Sequence, residues 1–258
     1  MRDVDAADAQ WALLEAEIAT WRSNGQTITF WWRDDDAQEW TPALDRLRTL
    51  SQQMHVPLAL AVIPRNADES LTAEFANHPG VSILQHGWAH ANHAADGRKK
   101  AEFGDERPLQ TALYELRAGA QKLGGMPSSL PVLVPPWNRI DPHIVAQLSS
   151  IGLSGLSVHG PRPSERTLHG VNCSNVHVDI VDWRGSRKFV GLAAALSQVH
   201  NHLYKKRIRE VDASEPTGLM THHLSHDDDC WWFITAFIER TKSEPSVRWL
   251  DAREIFCS

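Results

Sequence analysis

The stretch Thr27-Ile28-Thr29-Phe30-Trp31-Trp32-Arg33-Asp34-Asp35-Asp36 begins with strand-forming residues and ends in three consecutive carboxylates. β-Branched and aromatic side chains fit a pleated, half-buried surface, so Thr27 to Trp32 reads as a strand delivering a polar cluster at its C-terminal end. Neighbouring side chains on extended backbone face opposite ways, so Asp34 and Asp35 can do different jobs, one toward a metal and one toward substrate. By itself the run equally suits a solvated turn, with Asp36 or Thr41 capping a helix. The rest of the chain favours the first reading because it repeats the pattern.

Further strands are expected at Leu58 to Ile63, Val81 to Gln85, Val132 to Val134, Gly155 to Val158, Val176 to Val181, Gly218 to Thr221 and near Val247. Helices are expected to begin near Pro42, Glu69, Pro108, Pro142, Val190, Asp229 and Asp251, and Trp11, Leu14, Ile18 and Trp21 mark an amphipathic helix before Gly25. Such alternation predicts an α/β fold, a distorted (β/α) barrel of about seven to eight strands with a site at the C-terminal strand ends. Residues 1–258 are expected to be one catalytic domain, with the helix of residues 1–25 packed on it. Ala94 to Arg107, rich in charge and glycine, reads as a surface excursion, either a plain loop or a lid over substrate.

The 26 basic and 32 acidic residues leave a net charge of -6 without a basic stripe, which argues against nucleic acid and anionic membranes as partners. Cys173, Cys230 and Cys257 are widely separated, so neither a disulfide framework nor a thiolate zinc site is expected. Met1 to Gln10 carries three Asp and no apolar core, and no apolar run is long enough to span a bilayer; a cytoplasmic protein is the expectation. Oligomeric state is left open. Most of the eleven tryptophans lie in or beside polar clusters, where they suit either core packing or sugar faces.

His86-Gly87-Trp88-Ala89-His90 follows an apolar run and sets two imidazoles four residues apart. Together with Asp35 they make a His, His, Asp set, and three protein ligands with one open position are the mark of a catalytic zinc site. Val132 to Asn138 is a strand ending in Pro135-Pro136, a rigid turn that can present the Trp137 amide to a developing oxyanion. Asp179-Ile180-Val181-Asp182-Trp183 and Met220-Thr221-His222-His223 repeat the strand-then-polar pattern, the second offering a general acid.

With these five segments in this order, the chain resembles the polysaccharide deacetylase family, carbohydrate esterase family 4, over most of its length. Asp34-Asp35-Asp36 followed by Trp40-Thr41-Pro42 is similar to the family's Asp-Asp-Gly-Pro motif, which implies Asp34 as general base and Asp35 as metal ligand. His86 and His90 match its His-Ser/Thr-x-x-His motif, with Gly87 in place of the hydroxyl residue, and complete the implied ligand set. Val134-Pro135-Pro136-Trp137 is similar to Arg-x-Pro-Tyr but lacks the arginine that contacts the base; Arg33 and Arg139 are the candidates to replace it. Asp182 is implied to orient the catalytic imidazole, with His222 and His223 competing for that role, and Trp88, Pro136, Asn138, Arg139 and Trp183 are the expected substrate contacts.

The resemblance implies a metal-dependent hydrolase that removes acetyl groups from N-acetylated saccharides such as N-acetylglucosamine, using zinc first and cobalt, nickel or manganese next. Two alternatives stand beside it. One is hydrolysis of a non-saccharide amide or an O-acetyl ester on the same scaffold; the other is a non-catalytic saccharide-binding module.

Overall fold

The opening run makes a longer strand than its β-formers predict. In the computed structural model, which describes residues 2–75, 78, 80–163 and 167–257, β1 covers Ile28–Ala37, so Arg33, Asp34 and Asp35 stand inside the strand. Parallel strands β2 (Leu58–Val62), β3 (Val81–His86), β4 (Ser129–Val134) and β5 (Gly155–Leu156) follow outward on one side of β1. A short antiparallel pair, β6 (Thr167–Leu168) and β7 (Val171–Cys173), closes that edge, β7 lying parallel to β5. On the other side lie β9 (Thr217–Thr221) and then β8 (Val178–Asp179), while β10 (Val247–Trp249) pairs with Ile28 to Phe30. Ten strands thus form one curled, mostly parallel sheet, the distorted barrel expected; β6 and β7 escaped the sequence reading because runs of two and three residues carry no period.

Helices cover the outer face. α1 (Arg2–Ser23) buries Trp11, Leu14, Ile18 and Trp21, in agreement with the stripe read from sequence. α2 (Pro42–Met54) starts where Thr41 accepts the Leu44 amide, and α3 (Glu69–Phe75), α4 (Leu109–Leu123), α5 (Pro142–Val145), α6 (Leu192–Arg207), α7 (Asp228–Lys242) and α8 (Ala252–Phe256) come after it. Asp227 and Asp251 cap α7 and α8 through their carboxylates. Among the described residues no helix is long and apolar enough to cross a membrane.

The two faces of the sheet are separate cores. Phe30, Trp32, Leu60, Ile83 and Leu219 point outward under the helices, whereas Trp31, Ala61, Leu84, Val134 and Met220 fill the barrel interior. Burying each such side chain contributes roughly 1.5–3 kcal/mol, so the period-two alternation of β1 and β9 is strongly pinned. It carries on into the polar residues beyond: Arg33 and Asp35 continue the inward row of Trp31, and Asp34 continues the outward row of Trp32. On β9, Thr221 faces outward and bonds the Trp32 indole at 2.9 Å. His222 therefore falls inward and His223 outward.

Candidate active site

A cavity of about 800 Å³ opens at the C-terminal ends of the strands, lined among others by Asp35, Asp36, His86, His90, Trp137, Asn138, Asp179 and His222. Its floor differs from the sequence expectation by one residue. The register between β1 and β2 slips between Asp34 and Ala37, and Asp36 takes a left-handed backbone with φ 75°. That bulge breaks the alternation and turns Asp36 into the cavity beside Asp35. Asp36 Oδ1 stands 3.0 Å from His86 Nε2 and 3.3 Å from His90 Nε2. Asp35, the residue expected to ligate, instead meets the Arg33 guanidinium at 2.9 Å.

The Asp36, His86, His90 set fits a divalent cation. His86 Nδ1 donates to the Val134 carbonyl at 3.0 Å, which leaves the Nε2 lone pair aimed at a carboxylate oxygen. A lone pair facing an anion is unfavourable unless a proton or a cation lies between them, and Asp36 Oδ1 has no hydrogen-bond partner of its own. Ligands about 2.0–2.2 Å from zinc in a tetrahedron stand about 3.3–3.5 Å apart, close to the separations seen. Burial raises the Asp36 carboxyl, but the neighbouring imidazoles, His86 foremost, outweigh it, and the net shift is downward. For His86 burial opposes the charged form, yet Asp36 and Asp35 raise it; His90 is lowered by burial and by His86.

The loop that carries both histidines is held from an unexpected side. Glu102, fully buried within the 94–107 excursion, accepts the amides of Trp88 and Ala89 at 3.1 and 2.7 Å and of Ala91 at 3.4 Å. A Cβ on Gly87 would overlap Glu102 Oε2 and stand 2.5 Å from Pro136, which is why glycine replaces the hydroxyl residue there. The excursion is thus part of the site's frame. Trp88 packs into the core against Phe103 and its neighbours, and Pro136 is buried, so neither expected contact lines the cavity.

Of the two candidate arginines, Arg33 and not Arg139 meets a site carboxylate. It is fully buried, with Nη2 on Asp35 Oδ2 at 2.9 Å and Asn138 Oδ1 at 2.7 Å, and Nη1 on Ser157 Oγ at 2.8 Å. An i, i+2 spacing on a strand puts both ends of this pair on one face, so the replacement comes from the same strand as its carboxylate. Asp35 Oδ1 is left without a partner at the cavity. Arg139 lines the rim and donates to the Lys100 carbonyl at 2.7 Å.

The histidine expectation divides cleanly. His222 lines the cavity, its Nδ1 unpartnered and its ring edge-on to Trp183 with centroids 4.7 Å apart. His223 lies on the outer face, with Nδ1 2.5 Å from Asp34 Oδ1. Asp34 is fully buried there, also accepting the Thr221 hydroxyl and the His223 amide, so the expected base does not reach the cavity. Burial works against charge in both members, but their mutual attraction wins, lowering Asp34 and raising His223.

Asp182 is half-buried at the cavity rim, its carboxylate accepting the amides of Gly185 and Ser186 at 3.0 Å each. Asp179, three residues earlier, faces inward instead: burial raises its carboxyl, His222 pulls it down, and it accepts the Trp183 indole at 2.9 Å. Trp137 sits at φ 56° with its ring 4.4 Å from that of His90, and its amide donates to no group among the described residues. Left-handed backbone recurs at Asp36, His90, Trp137 and Asn138 around this one cavity, each a conformation costing of order 1–3 kcal/mol for a residue with a side chain.

A second set, His177, His202 and Glu215, is fully enclosed behind β8 and β9. Its two rings stack with centroids 3.4 Å apart and planes 15° from parallel, so their in-plane lone pairs do not converge. His177 Nδ1 accepts the Gly218 amide, which leaves Nε2 carrying the proton, and Glu215 already accepts the amides of Arg162 and Asn175. It is a closed packing cluster.

The chain matches no protein-family model and no curated protein sequence. Solved structures do match in three dimensions. A polysaccharide deacetylase from Mycobacterium smegmatis is 14% identical with TM-score 0.59, covering 90% of this chain and 89% of that one. A family 4 carbohydrate esterase from Streptomyces lividans in complex with acetate is 11% identical, with TM-score 0.52 over 86% and 90%. A peptidoglycan N-acetylglucosamine deacetylase gives 16% identity and TM-score 0.51 over 89% and 88%. At these identities the likeness is one of architecture, and the fold of this chain is that of the polysaccharide deacetylases and family 4 carbohydrate esterases.

Proposed function

We propose that this protein is a metal-dependent hydrolase that removes the acetyl group from an N-acetylated saccharide. The observation that carries the reading is the convergence on one cavity of a three-ligand set, a carboxylate with a free oxygen and an imidazole with a free nitrogen. The similarity in fold to a polysaccharide deacetylase and a peptidoglycan N-acetylglucosamine deacetylase supports it.

Asp36, His86 and His90 would hold the cation. The chemistry that a divalent cation held there would supply, zinc first and cobalt, nickel or manganese as alternatives, is polarisation of the amide carbonyl and a more acidic water. Asp35 accepts the proton of the attacking water through Oδ1, while Arg33 fixes its other oxygen. The Trp137 amide, unpaired at the rim, stabilises the oxygen that gains negative charge. His222, oriented by Asp179 and Trp183, gives its proton to the nitrogen as the carbon–nitrogen bond breaks, so that acetate and the free amine depart. Relative to the sequence expectation, base and ligand each move one residue along the chain, to Asp35 and Asp36, and the partner of the acid moves from Asp182 to Asp179.

The test pairs elemental analysis of the purified protein with acetate release from N-acetylglucosamine oligomers. Wild type is expected to hold near-stoichiometric metal and release acetate; Asp36→Ala loses both, and Asp35→Asn keeps the metal and loses turnover. Metal with no acetate from any N-acetylated saccharide sinks the substrate assignment, and absence of metal under loading sinks the catalytic one.

A further inference from the structure

Asp34, Thr221 and His223 have no part in that chemistry, yet they enclose the residue that does. One buried carboxylate takes three hydrogen bonds from the two chain neighbours of His222: Thr221 Oγ1 at 2.6 Å and the His223 amide at 3.0 Å on Oδ2, and His223 Nδ1 at 2.5 Å on Oδ1. The His222 amide itself donates to His226 Nε2 at 3.1 Å. β9 ends at Thr221, so the sheet ladder does not hold the next residues, and His222 sits at φ -142°, ψ 88°, outside any helical turn. Charge-assisted bonds shielded from water are short and stiff.

We propose that the buried Asp34–His223 pair is a positioning device, a clamp behind the sheet that fixes the backbone on both sides of His222 and so aims its imidazole into the cavity. Alternation along the chain makes this possible: 221 and 223 share the outer face with Asp34, and 222 between them must face in. The functional consequence rests on the reading of His222 as the acid. Loss of the clamp lets the imidazole wander while the cation, the base and the cavity stay in place.

A departing amine needs the proton that His222 supplies, whereas the phenolate of 4-nitrophenyl acetate leaves without one; comparing the two substrates isolates the acid. In Asp34→Asn and His223→Ala, kcat on an N-acetylated saccharide is expected to fall about 10- to 100-fold, the range that misplacing a reacting group brings, with KM little changed and the ester rate far less affected. His223→Asn, whose amide nitrogen can replace Nδ1, restores most of that loss. Thr221→Val, which removes one of the three bonds, shows a smaller shift in the same direction and serves if Asp34→Asn does not fold. Backbone amides of residues 221–226 should exchange at least about tenfold faster in Asp34→Asn, with β2 to β4 unchanged, as expected for a local opening. Equal losses on both substrates, or His223→Asn no better than His223→Ala, overturn the clamp. So does unaltered exchange, and that result stands even if wild type hydrolyses neither substrate, an outcome that would refute the proposed function instead.

Discussion

Among the described residues two groups of three His and acidic side chains bring their ligand atoms close together, and one of the two has free lone pairs that converge. Asp36, His86 and His90 are gathered at the strand ends by a bulge and a loop, with a lone pair pointed at a partnerless carboxylate oxygen. His177, His202 and Glu215 likewise bring two imidazoles and a carboxylate together, but the rings stack and the carboxylate is already occupied by backbone amides. The composition of a cluster does not make a site. Convergence of free lone pairs does, and that depends on which hydrogen bonds the backbone has already claimed.

The sharpest way to break the comparison is Asp36→Ala against Glu215→Gln, with zinc affinity followed by calorimetry. The first should weaken binding beyond the 10- to 100-fold that losing a mere supporting residue costs, and the second should leave it unchanged. Binding that falls with Glu215→Gln and survives Asp36→Ala would reverse the assignment. Next in size is Arg33→Met, which strands Asp35 as a buried charge beside the first cluster. A loss of about 3–5 kcal/mol in urea unfolding is expected, as for other buried pairs broken on one side.

Glu102→Gln tests the frame of the metal loop: two or more backbone amides lose a charged acceptor, and zinc affinity should drop roughly tenfold with little change in the fold. The smallest effect belongs to the closed cluster. Burial holds His177 and His202 below their ordinary value of 6.5, so the unfolded chain takes up their protons first and stability falls as pH drops below that value. Glu215, pushed up by burial to about 7, acts in the opposite sense over the upper part of that window. His202→Phe keeps the stack but removes one titrating ring, and should flatten the stability slope between pH 6.5 and 5 by up to about 1.4 kcal/mol per pH unit. An unchanged slope would mean that His202 is charged in the folded protein.

The legible part of the site is the part where periodicity holds. His86, His90, Trp137, Asn138 and His222 were all placed correctly at a cavity because each comes after a strand whose apolar pattern is plain. The base and ligand proposed above fall one residue later than the sequence reading puts them, because an ideal strand gives no sign of a left-handed residue at Asp36. Glu102 was invisible: it lies in a charged, glycine-containing loop, and only the folded chain carries it beneath Trp88. Asp179 was passed over for Asp182, since a strand as short as Val178–Asp179 gives too few residues to establish which acid faces in.

By itself the sequence determined the barrel-like alternation, the N-terminal helix, the order of the polar segments and the two metal-binding histidines proposed. These depend on local propensity and on hydrophobic periods that run over several residues. Tertiary structure alone decided which of three consecutive aspartates meets those histidines, which of two adjacent histidines enters the cavity, and which arginine meets Asp35. Each of those outcomes turns on a single-residue change of face, and on a strand one residue is the whole difference between core and cavity.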